Sequence, residues 1–343
     1  MDLGIFMPTA NNGYVISKNV TYEPTYELNR QMTLDAEIAG FDFVFSMVKL
    51  RGYGGTTEHW DHALESLTLM AALAEPTTSI RLYGSVAILT LHPALVARMV
   101  ATIDQVSDGR FGLNIVAGWN KAEYTQLGLW PGDEYFNHRY DYAQEYVEIL
   151  RGLWEFGRLS YDGDFFKLED ALCQPRPSSD IEVVCAGQSE RGMRFLAGVG
   201  DKNFVNAADI ESARAISKRV KEIGEEAGRE VGTYALFTII SGETDDEAQR
   251  YESWIREGTD AEALDGFMAA IKSDPVGVSP AKLQAQAFMG FPTFTGGYDS
   301  VVEFLDELES ETSLDGVLVT WPDYLKGVQE FGERVIPHLA RRS

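Results

Sequence analysis

The stretch RFGLNIVAGWNKAEY, residues 110–124, decides the fold because an apolar strand runs directly into polar, helix-like sequence. The apolar run carries an amide, Asn114, near its centre and stops at Gly118. A buried amide that lacks a hydrogen-bond partner costs about 1–3 kcal/mol. We therefore predict that Asn114 has a partner, which is either protein or a bound molecule.

Strand-like segments of the same kind recur along the chain, and helical sequence separates most of them. The eight segments are LGIFM at 3–7, FDFVFSM at 41–47, IRLYGSVAIL at 80–89, FGLNIVA at 111–117, IEVVCA at 181–186, KNFVN at 202–206, YALFTII at 234–240 and DGVLVTW at 315–321. Alternating strands and helices predict a parallel sheet, because parallel strands need crossover connections. Eight units with nearly apolar strands favour an α/β fold, a closed (β/α)8 TIM barrel, over an open doubly wound sheet.

The chain length fits one barrel with insertions. A barrel takes about 250 residues and the chain has 343, so length alone also allows two smaller domains. We predict a single barrel domain over residues 1–343. The stretch 243–297 breaks the alternation, because it begins as a helix and ends in FMGFPTFTGGYDS without a clear strand. We predict that this stretch is an insertion that covers the barrel mouth as a lid.

Charge and composition argue against several classes of protein. Lys and Arg number 29 against 53 Asp and Glu, a formal charge of −24, so the overall field repels nucleic acid and anionic membranes. An anionic cofactor would need a local positive site. Cys173 and Cys185 show no metal or disulfide spacing, and the N-terminus shows no secretion signal. We expect a cytoplasmic protein that binds neither nucleic acid nor membranes.

The segment VVCAGQSERGMRFLA, residues 183–197, passes from a strand through small residues into a helix that Ser189 begins. Active sites of barrels lie at the carboxyl ends of the strands. A helix N-terminus there offers free N–H groups and the positive end of the helix dipole, which together bind phosphate. Helix capping alone also explains a serine at this position.

A second helix start supplies further groups that bind anions. Arg139 and Tyr140, in YFNHRYDYAQEYV, offer a guanidinium and a phenol at the start of the helix after the fourth strand. Two such helix starts on neighbouring barrel units predict a phosphate clamp.

Other catalytic motifs are missing from the sequence. No GxGxxG follows a strand, no GxSxG elbow is present, and His59 and His62 in HWDH lack metal-site spacing, so we predict no metal. A planar cofactor that carries phosphate remains, and FMN is suitable. Tyr14, Phe45, Met47 and Trp119 are candidates to line its ring, although each residue type is also common in protein cores.

Long segments resemble the bacterial luciferase-like flavin-dependent monooxygenases, and in particular their pyrimidine-cleaving members. The segments are IFMPTANNGYVIS, DFVFSMVKLRGYGG, HWDHALESLTLMAALA, RFGLNIVAGWNKAEY, GLWPGDEYFNHRYDYAQEYV and VVCAGQSERGM. The match runs from residue 1 to about 200 and resumes at YALFTIISGETDDEA and GVLVTWPDYLKGVQEFGERV. The resemblance implies a barrel that binds FMN in its reduced form, FMNH2, which a separate flavin reductase supplies.

The resemblance also implies positions for the site residues. The flavin contacts would be Val48, Lys49, Asn114, Glu123, Arg139, Tyr140 and Ser189. O2 would be held by Asn114 and by Ser85, which stands where these relatives have threonine. Phe45, Met47, Ala117 and Trp119 would line the substrate pocket, with Phe45 in place of an expected leucine and Ala117 in place of an expected threonine.

The implied reaction opens the ring of uracil or thymine between N3 and C4 through a flavin N5-peroxide. Because of these departures at the pocket, an alternative function remains open, that of a luciferase-like monooxygenase that acts on a sulfonate, a sulfone or a haloaromatic phenol. Two further alternatives are a flavin-binding protein without turnover and a deazaflavin-dependent oxidoreductase on the same barrel. The resemblance to barrel proteins of this kind also implies that the protein forms a homo-oligomer.

Overall fold

The computed structural model describes residues 1–187, 189–274 and 287–340. The strands of these ranges, numbered in chain order, are β1 (Asp2–Phe6), β2 (Phe43–Phe45), β3 (Arg81–Ala87), β4 (Phe111–Val116), β5 (Arg158–Asp162), β6 (Lys167–Leu172), β7 (Glu182–Ala186), β8 (Lys202–Val205), β9 (Gly232–Gly242), β10 (Thr293–Gly297) and β11 (Gly316–Thr320).

Eight parallel strands close into a barrel, as the sequence predicts. Around the ring the order is β1, β2, β3, β4, β7, β8, β9 and β11, and β11 pairs again with β1. These strands are the eight that the apolar segments predict. The TIM barrel is therefore confirmed, and all carboxyl ends of its strands meet at one mouth.

Helices connect most of the barrel strands. They are α1 (Tyr26–Ala39), α2 (Ser66–Ala74), α3 (Pro93–Ser107), α4 (Lys121–Thr125), α5 (Tyr135–Phe156), α6 (Glu190–Val199), α7 (Ile210–Glu226), α8 (Asp245–Glu257), α9 (Ala261–Lys272), α10 (Tyr298–Glu311) and α11 (Tyr324–Glu330). Side-chain caps start most of them, for example His92 before Pro93 of α3 and Ser189 before α6. A π-helical turn, Phe331–Val335, and a 3₁₀ turn, Ile336–His338, follow α11. Of the helices that the model describes, none is long and apolar enough to cross a membrane.

Aromatic rings fill the interior of the barrel and face glycines on the neighbouring strands. A Cβ built on Gly4 would lie 2.3 Å from the Phe43 ring, and one built on Gly112 would lie 2.3 Å from the Tyr83 ring. The Phe45 ring stacks on the Tyr83 ring with centroids 5.6 Å apart. Because the rings occupy the space that other side chains would need, these layers form a packed core and leave the mouth as the place for a site.

The connection between β9 and β11 corrects one expectation. The sequence shows no clear strand in 243–297, but β10 pairs in parallel with the carboxyl half of β9, from Thr238 to Gly242. The prediction of a strandless insertion is therefore wrong. The helices α8 and α9 occupy the first part of this stretch, and residues 275–286 lie outside the described residues.

An antiparallel hairpin of β5 and β6 also adds to the predicted pattern. Both strands alternate between exposed and half-buried residues, so they lack the apolar run by which the barrel strands are recognised.

Candidate active site

Four polar side chains form a hydrogen-bonded chain across the carboxyl ends of β2, β3 and β4. Asn114 Nδ2 donates to Ser85 Oγ at 2.9 Å, and Ser85 Oγ donates to the carbonyl oxygen of Ser46 at 2.6 Å. Ser66 Oγ, at the start of α2, accepts from the Ser85 N–H at 2.7 Å and lies 2.5 Å from Ser46 Oγ. All four residues are buried, so the core holds these groups in fixed directions.

The Asn114 side chain leaves one polar atom without a partner among the described residues. Asn114 is 5% exposed, and its Oδ1 is buried and makes no hydrogen bond there. The side chain points to the same side of β4 as Gly112, which faces Tyr83 in the barrel interior. The predicted hydrogen-bond partner is thus found for Nδ2, where it is the Ser85 hydroxyl, and Oδ1 remains available to a bound molecule.

A buried ion pair lies beyond the ends of β2 and β4. The Lys49 ammonium contacts Glu123 Oε1 and donates to the Tyr53 hydroxyl at 3.0 Å. Glu123 Oε1 also accepts from Asn120 Nδ2 at 3.0 Å, and Glu123 Oε2 lies 3.4 Å from the Leu50 N–H. Burial works against the charge of Lys49, but Tyr53 and the Glu123 carboxylate outweigh it and hold the pKa of Lys49 above its ordinary value. The mouth therefore contains a charged ammonium.

Aromatic rings surround this ammonium. Lys49 Nζ lies 4.5 Å from the Tyr53 ring centroid, 5.2 Å from that of Trp60 and 5.6 Å from that of Trp119. Cation–π contacts of this kind favour the cation most where water is excluded. The arrangement provides flat apolar walls beside a positive charge, which suits a planar ring that bears a carbonyl group.

The two histidines of HWDH lie in different environments. His59 is fully buried, stacks on Trp60 with ring centroids 5.3 Å apart, and has its pKa lowered to about 3 by burial and by Lys49. His62 lies at the surface, where its Nδ1 is 2.7 Å from Glu23. His59 is therefore neutral at physiological pH, and the pair does not converge on one site.

The predicted phosphate-binding residues converge at the N-terminus of α6. A Cβ built on Gly192 would lie 3.0 Å from the Tyr140 hydroxyl and 3.3 Å from Ser189 Oγ, so both oxygens lie close to this helix start and a side chain at position 192 would crowd them. Gly192 also approaches Gly187 so closely that a Cβ on either residue would meet the other backbone. Ser189 Oγ caps α6 by accepting from the Gly192 N–H at 3.1 Å. Capping is thus observed, and it is compatible with a phosphate at the same helix end.

Arg139 lies in the second turn of α5 rather than at its start. Its guanidinium is 5.1 Å from the Tyr140 ring centroid, and its Nη1 donates to Asp274 Oδ2 at 2.7 Å. Both side chains of this ion pair are buried. Arg139 is therefore beside Tyr140 as predicted, but an acidic partner that the sequence did not indicate also binds it.

The predicted pocket residues occupy different depths. Phe45 is buried and stacks on Phe204, with ring centroids 5.5 Å apart. It is the last residue of β2 and so lies at the end of the aromatic core that is nearest the mouth. Met47, Val48, Ala117 and Trp119 are half-buried around the mouth. Phe45 can thus form only the floor of a pocket, and the other four can form its walls.

Sequence reasoning missed several residues that the structure brings to the mouth. They are Ser46, Ser66, Tyr53, Trp60, Asn120 and Asp274. Ser46 follows the second strand directly and Tyr53 lies in the loop after it, so their position in the chain could have identified them. Asp274 could not be identified in this way, because it lies 135 residues from Arg139.

Comparison with known proteins identifies the family. The family model for luciferase-like monooxygenases matches residues 1–292. The chain belongs to the luciferase-like monooxygenases. Pyrimidine monooxygenase RutA of Escherichia coli O127:H6 (strain E2348/69 / EPEC) is 45% identical over 353 residues, which cover 100% of this chain and 97% of that relative. The resemblance seen in the sequence is confirmed, and the chain is a flavin-dependent monooxygenase.

Solved structures share the fold at low identity. Riboflavin lyase RcaE, solved with modified FMN and riboflavin, has a TM-score of 0.85 and 21% identity over 100% of this chain and 92% of that one. An F420-dependent secondary alcohol dehydrogenase has a TM-score of 0.75 and 18% identity over 98% of both chains. Because one fold accommodates both cofactors, the fold alone does not choose between them.

The residues present at the mouth fit a flavin that carries a phosphate. Asn114 Oδ1, which has no partner among the described residues, offers an acceptor to a ring N–H. The glycines at 187 and 192 keep the start of α6 free of side chains beside the Tyr140 and Ser189 oxygens, which a side chain at position 192 would crowd. The ring end of the predicted cofactor site thus contains a buried acceptor, and the phosphate end contains two closely packed backbone segments.

Proposed function

We propose that the protein uses reduced FMN and O2 to cleave the amide bond between N3 and C4 of uracil, thymine or a closely related pyrimidine. The observation that carries this proposal is the full-length similarity to pyrimidine monooxygenases in a chain whose barrel mouth holds Asn114 Oδ1, an acceptor without a partner among the described residues. When reduced FMN is bound, it would supply the electrons for the reaction with O2. The protein residues bind the cofactor, orient the reactants and stabilise the charge that develops.

The phosphate end of the site is the N-terminus of α6. Tyr140 and Ser189 bind the phosphate oxygens together with the free N–H groups of the helix. Arg139 adds N–H donors, since its contact with Asp274 uses Nη1 and a guanidinium has further donors. The positive end of the α6 dipole favours an anion at this place in a chain of net charge −24.

The ring end of the site lies over β2 to β4. Val48 and Lys49 contact the flavin where the chain leaves β2, and Asn114 contacts it from β4. Asn114 and Ser85 also orient O2 beside the ring. Glu123 fixes the Lys49 ammonium in place through their ion pair.

The substrate pocket lies against the aromatic walls. Met47, Ala117 and Trp119 line it and Phe45 forms its floor. The Lys49 ammonium stabilises the negative charge that develops on the substrate carbonyl oxygen when its carbon is attacked. A pyrimidine offers the flat face and the carbonyl group that this arrangement requires.

As the similarity to pyrimidine monooxygenases implies, reduced FMN reaches the protein from a separate flavin reductase. The described parts of the stretch 243–297 act as the lid of the single domain that residues 1–343 form, and the protein is a homo-oligomer. The departures at Ser85, Phe45 and Ala117 favour a second candidate, a monooxygenase of the same family that acts on a sulfonate, a sulfone or a haloaromatic phenol.

A substrate panel tests the proposed function. The purified protein is incubated with FMN, a flavin reductase, NADH and air, and each substrate is followed by chromatography. We expect consumption of uracil or thymine that requires the reductase and O2 and yields a ureidoacrylate-type product. Turnover of a sulfonate, sulfone or phenol with both pyrimidines untouched would establish the second candidate, and anaerobic turnover with F420 would establish a deazaflavin enzyme.

A further inference from the structure

We propose that Asp274 weakens the binding of phosphate at the start of α6, because its carboxylate holds the Arg139 guanidinium that a phosphate would otherwise use in full. This inference rests on the proposed function, because it needs a flavin whose phosphate lies beside α6. It assigns to Asp274 the control of how tightly that phosphate is held, and therefore of how readily the flavin leaves.

The Arg139–Asp274 ion pair is closed off from water. Arg139 Nη1 donates to Asp274 Oδ2 at 2.7 Å, and the two side chains are 8% and 4% exposed. Burial works against the charge of Arg139, but Asp274 and the Tyr140 phenol outweigh it and hold the pKa of Arg139 above its ordinary value. The carboxylate thus compensates the buried guanidinium when no phosphate is present.

Tyr140 connects this ion pair to the predicted phosphate site. The guanidinium carbon of Arg139 lies 5.1 Å from the Tyr140 ring centroid. The hydroxyl of the same ring lies 3.0 Å from the place of a Cβ built on Gly192, at the start of α6. Little more than the Arg139 and Tyr140 side chains therefore separates the Asp274 carboxylate from an anion at this helix start. Repulsion between the two anions is strong there, because little solvent screens it.

The helix α9 fixes the place of Asp274. Asp274 comes two residues after the end of α9, and its N–H donates to the Ile271 carbonyl oxygen at 3.2 Å. The Phe267 ring of α9 meets the Tyr53 ring with centroids 5.1 Å apart, and a Cβ built on Gly266 would lie 2.3 Å from the Tyr53 carbonyl oxygen. Because α9 packs this closely on the loop after β2, the carboxylate stays beside Arg139 when a phosphate arrives.

Two anions therefore share one guanidinium when FMN is bound. Asp274 uses Nη1, so the phosphate is left with the remaining donors of Arg139, the Tyr140 and Ser189 hydroxyls and the free N–H groups of α6. The repulsion from Asp274 offsets what Arg139 contributes. Riboflavin has the same ring without the phosphate, so Asp274 does not affect its binding. A flavin that a separate reductase supplies must also leave, and a weakly held phosphate lets it leave at each turnover.

The test compares the affinities of the protein for FMN and riboflavin, which differ only in the phosphate. Both flavins are reduced with dithionite under anaerobic conditions, and the free flavin is measured after ultrafiltration. The ratio of the two dissociation constants isolates the contribution of the phosphate. We expect Asp274→Asn to raise the preference for FMN about tenfold and to leave the affinity for riboflavin unchanged. Inorganic phosphate should displace FMN from this variant at correspondingly lower concentrations.

Asp141→Asn is the matched control, because it removes the same charge close to Arg139 in the chain. The Asp141 carboxylate lies 3.0 Å from Arg191 Nη2, but its side chain is 53% exposed. Solvent screens a charge at such a place, so we expect the preference for FMN to change less than about twofold.

The double variant Arg139→Met with Asp274→Asn gives a second route should Asp274→Asn not fold. It removes both charges, so neither is left buried alone. Because the attraction and the repulsion disappear together, we expect its preference for FMN to stay within about threefold of the wild type.

A preference for FMN that is unchanged or lower in Asp274→Asn would overturn this inference and leave the proposed function standing. An equal rise in Asp141→Asn would overturn it as well, since the effect would then come from net charge alone. A loss of about tenfold or more in the double variant would also overturn it, because Arg139 would then serve the phosphate in spite of Asp274. Failure of the wild type to bind either flavin would overturn both the inference and the proposed function.

Discussion

At the scale of single residues, the Lys49–Glu123 ion pair is the main electrostatic feature of the mouth. The side chains are 4% and 9% exposed, so each charge depends on the other and on nearby polar groups. Removing one partner from a buried pair leaves an uncompensated charge, which costs more than the pair itself contributes. The pair therefore couples the stability of the fold to the charge that the proposed reaction needs.

Replacing Lys49 by Met tests this dependence. The Glu123 carboxylate would stay buried with only Asn120 and the Leu50 N–H as donors. We expect the free energy of unfolding to fall by about 3 kcal/mol, measured by urea denaturation. The double variant Lys49→Met with Glu123→Gln should recover most of this loss, and a loss below about 0.5 kcal/mol in the single variant would contradict the account.

Sequence reasoning at this scale succeeded where a residue type was unusual in its local context. Asn114 was identified because an amide interrupts an apolar strand. Its partner Ser85 came from the family resemblance, and Ser46 was missed because it accepts from Ser85 through its backbone carbonyl. Every residue type has such a carbonyl, so hydrogen bonds of this kind leave no trace in the sequence.

At the scale of elements, Glu37 near the end of α1 joins that helix to the loop before β3. Its Oε1 accepts the N–H groups of Thr78 at 2.8 Å, Ser79 at 2.5 Å and Ile80 at 2.9 Å. Burial raises the pKa of Glu37, but these donors and the Ser79 hydroxyl outweigh it and lower the pKa to about 2. The folded protein thus binds a proton at Glu37 less readily than the unfolded chain does.

The sign of the resulting pH dependence follows from this lowered pKa. The contribution of Glu37 to stability is complete above the ordinary value of 4.5 and is lost as the pH falls from 4.5 towards 2. We expect Glu37→Gln to lower the free energy of unfolding at pH 7 by about 1 kcal/mol, because the carboxylate is partly screened by solvent. The difference from the wild type should shrink between pH 5 and pH 2.5 in denaturant titrations, and a constant difference would contradict the assignment.

Most barrel strands could be predicted because they bury both faces and read as apolar runs, although β8, with the sequence KNFV, alternates between half-buried and buried residues. The hairpin strands β5 and β6 are largely exposed and contain charged residues, so no such run marks them. The strand β10 has the sequence TFTGG, in which two glycines hide the strand pattern. The sequence therefore predicts the strands of the barrel better than the additional strands β5, β6 and β10.

At the scale of the whole molecule, the aromatic core lies apart from the mouth, where the candidate site residues are. Rings such as Phe43 and Tyr83 fill the interior, and polar contacts such as that of the Tyr83 hydroxyl with Glu182, at 2.7 Å, lie at the opposite end from the mouth. The mouth carries Lys49, Asn114 and the phosphate-binding end of α6. This division is typical of TIM barrels, whose loops after the strands hold the active site.

A single-turnover reaction with ¹⁸O₂ tests the central claim most directly. The protein, anaerobically reduced FMN and uracil are mixed with ¹⁸O₂, and the products are analysed by mass spectrometry. The account predicts a ring-opened product that carries ¹⁸O on the carbon that was C4 of uracil. Unchanged uracil together with hydrogen peroxide formed from the flavin, or a ring-opened product that carries oxygen only from water, would contradict it.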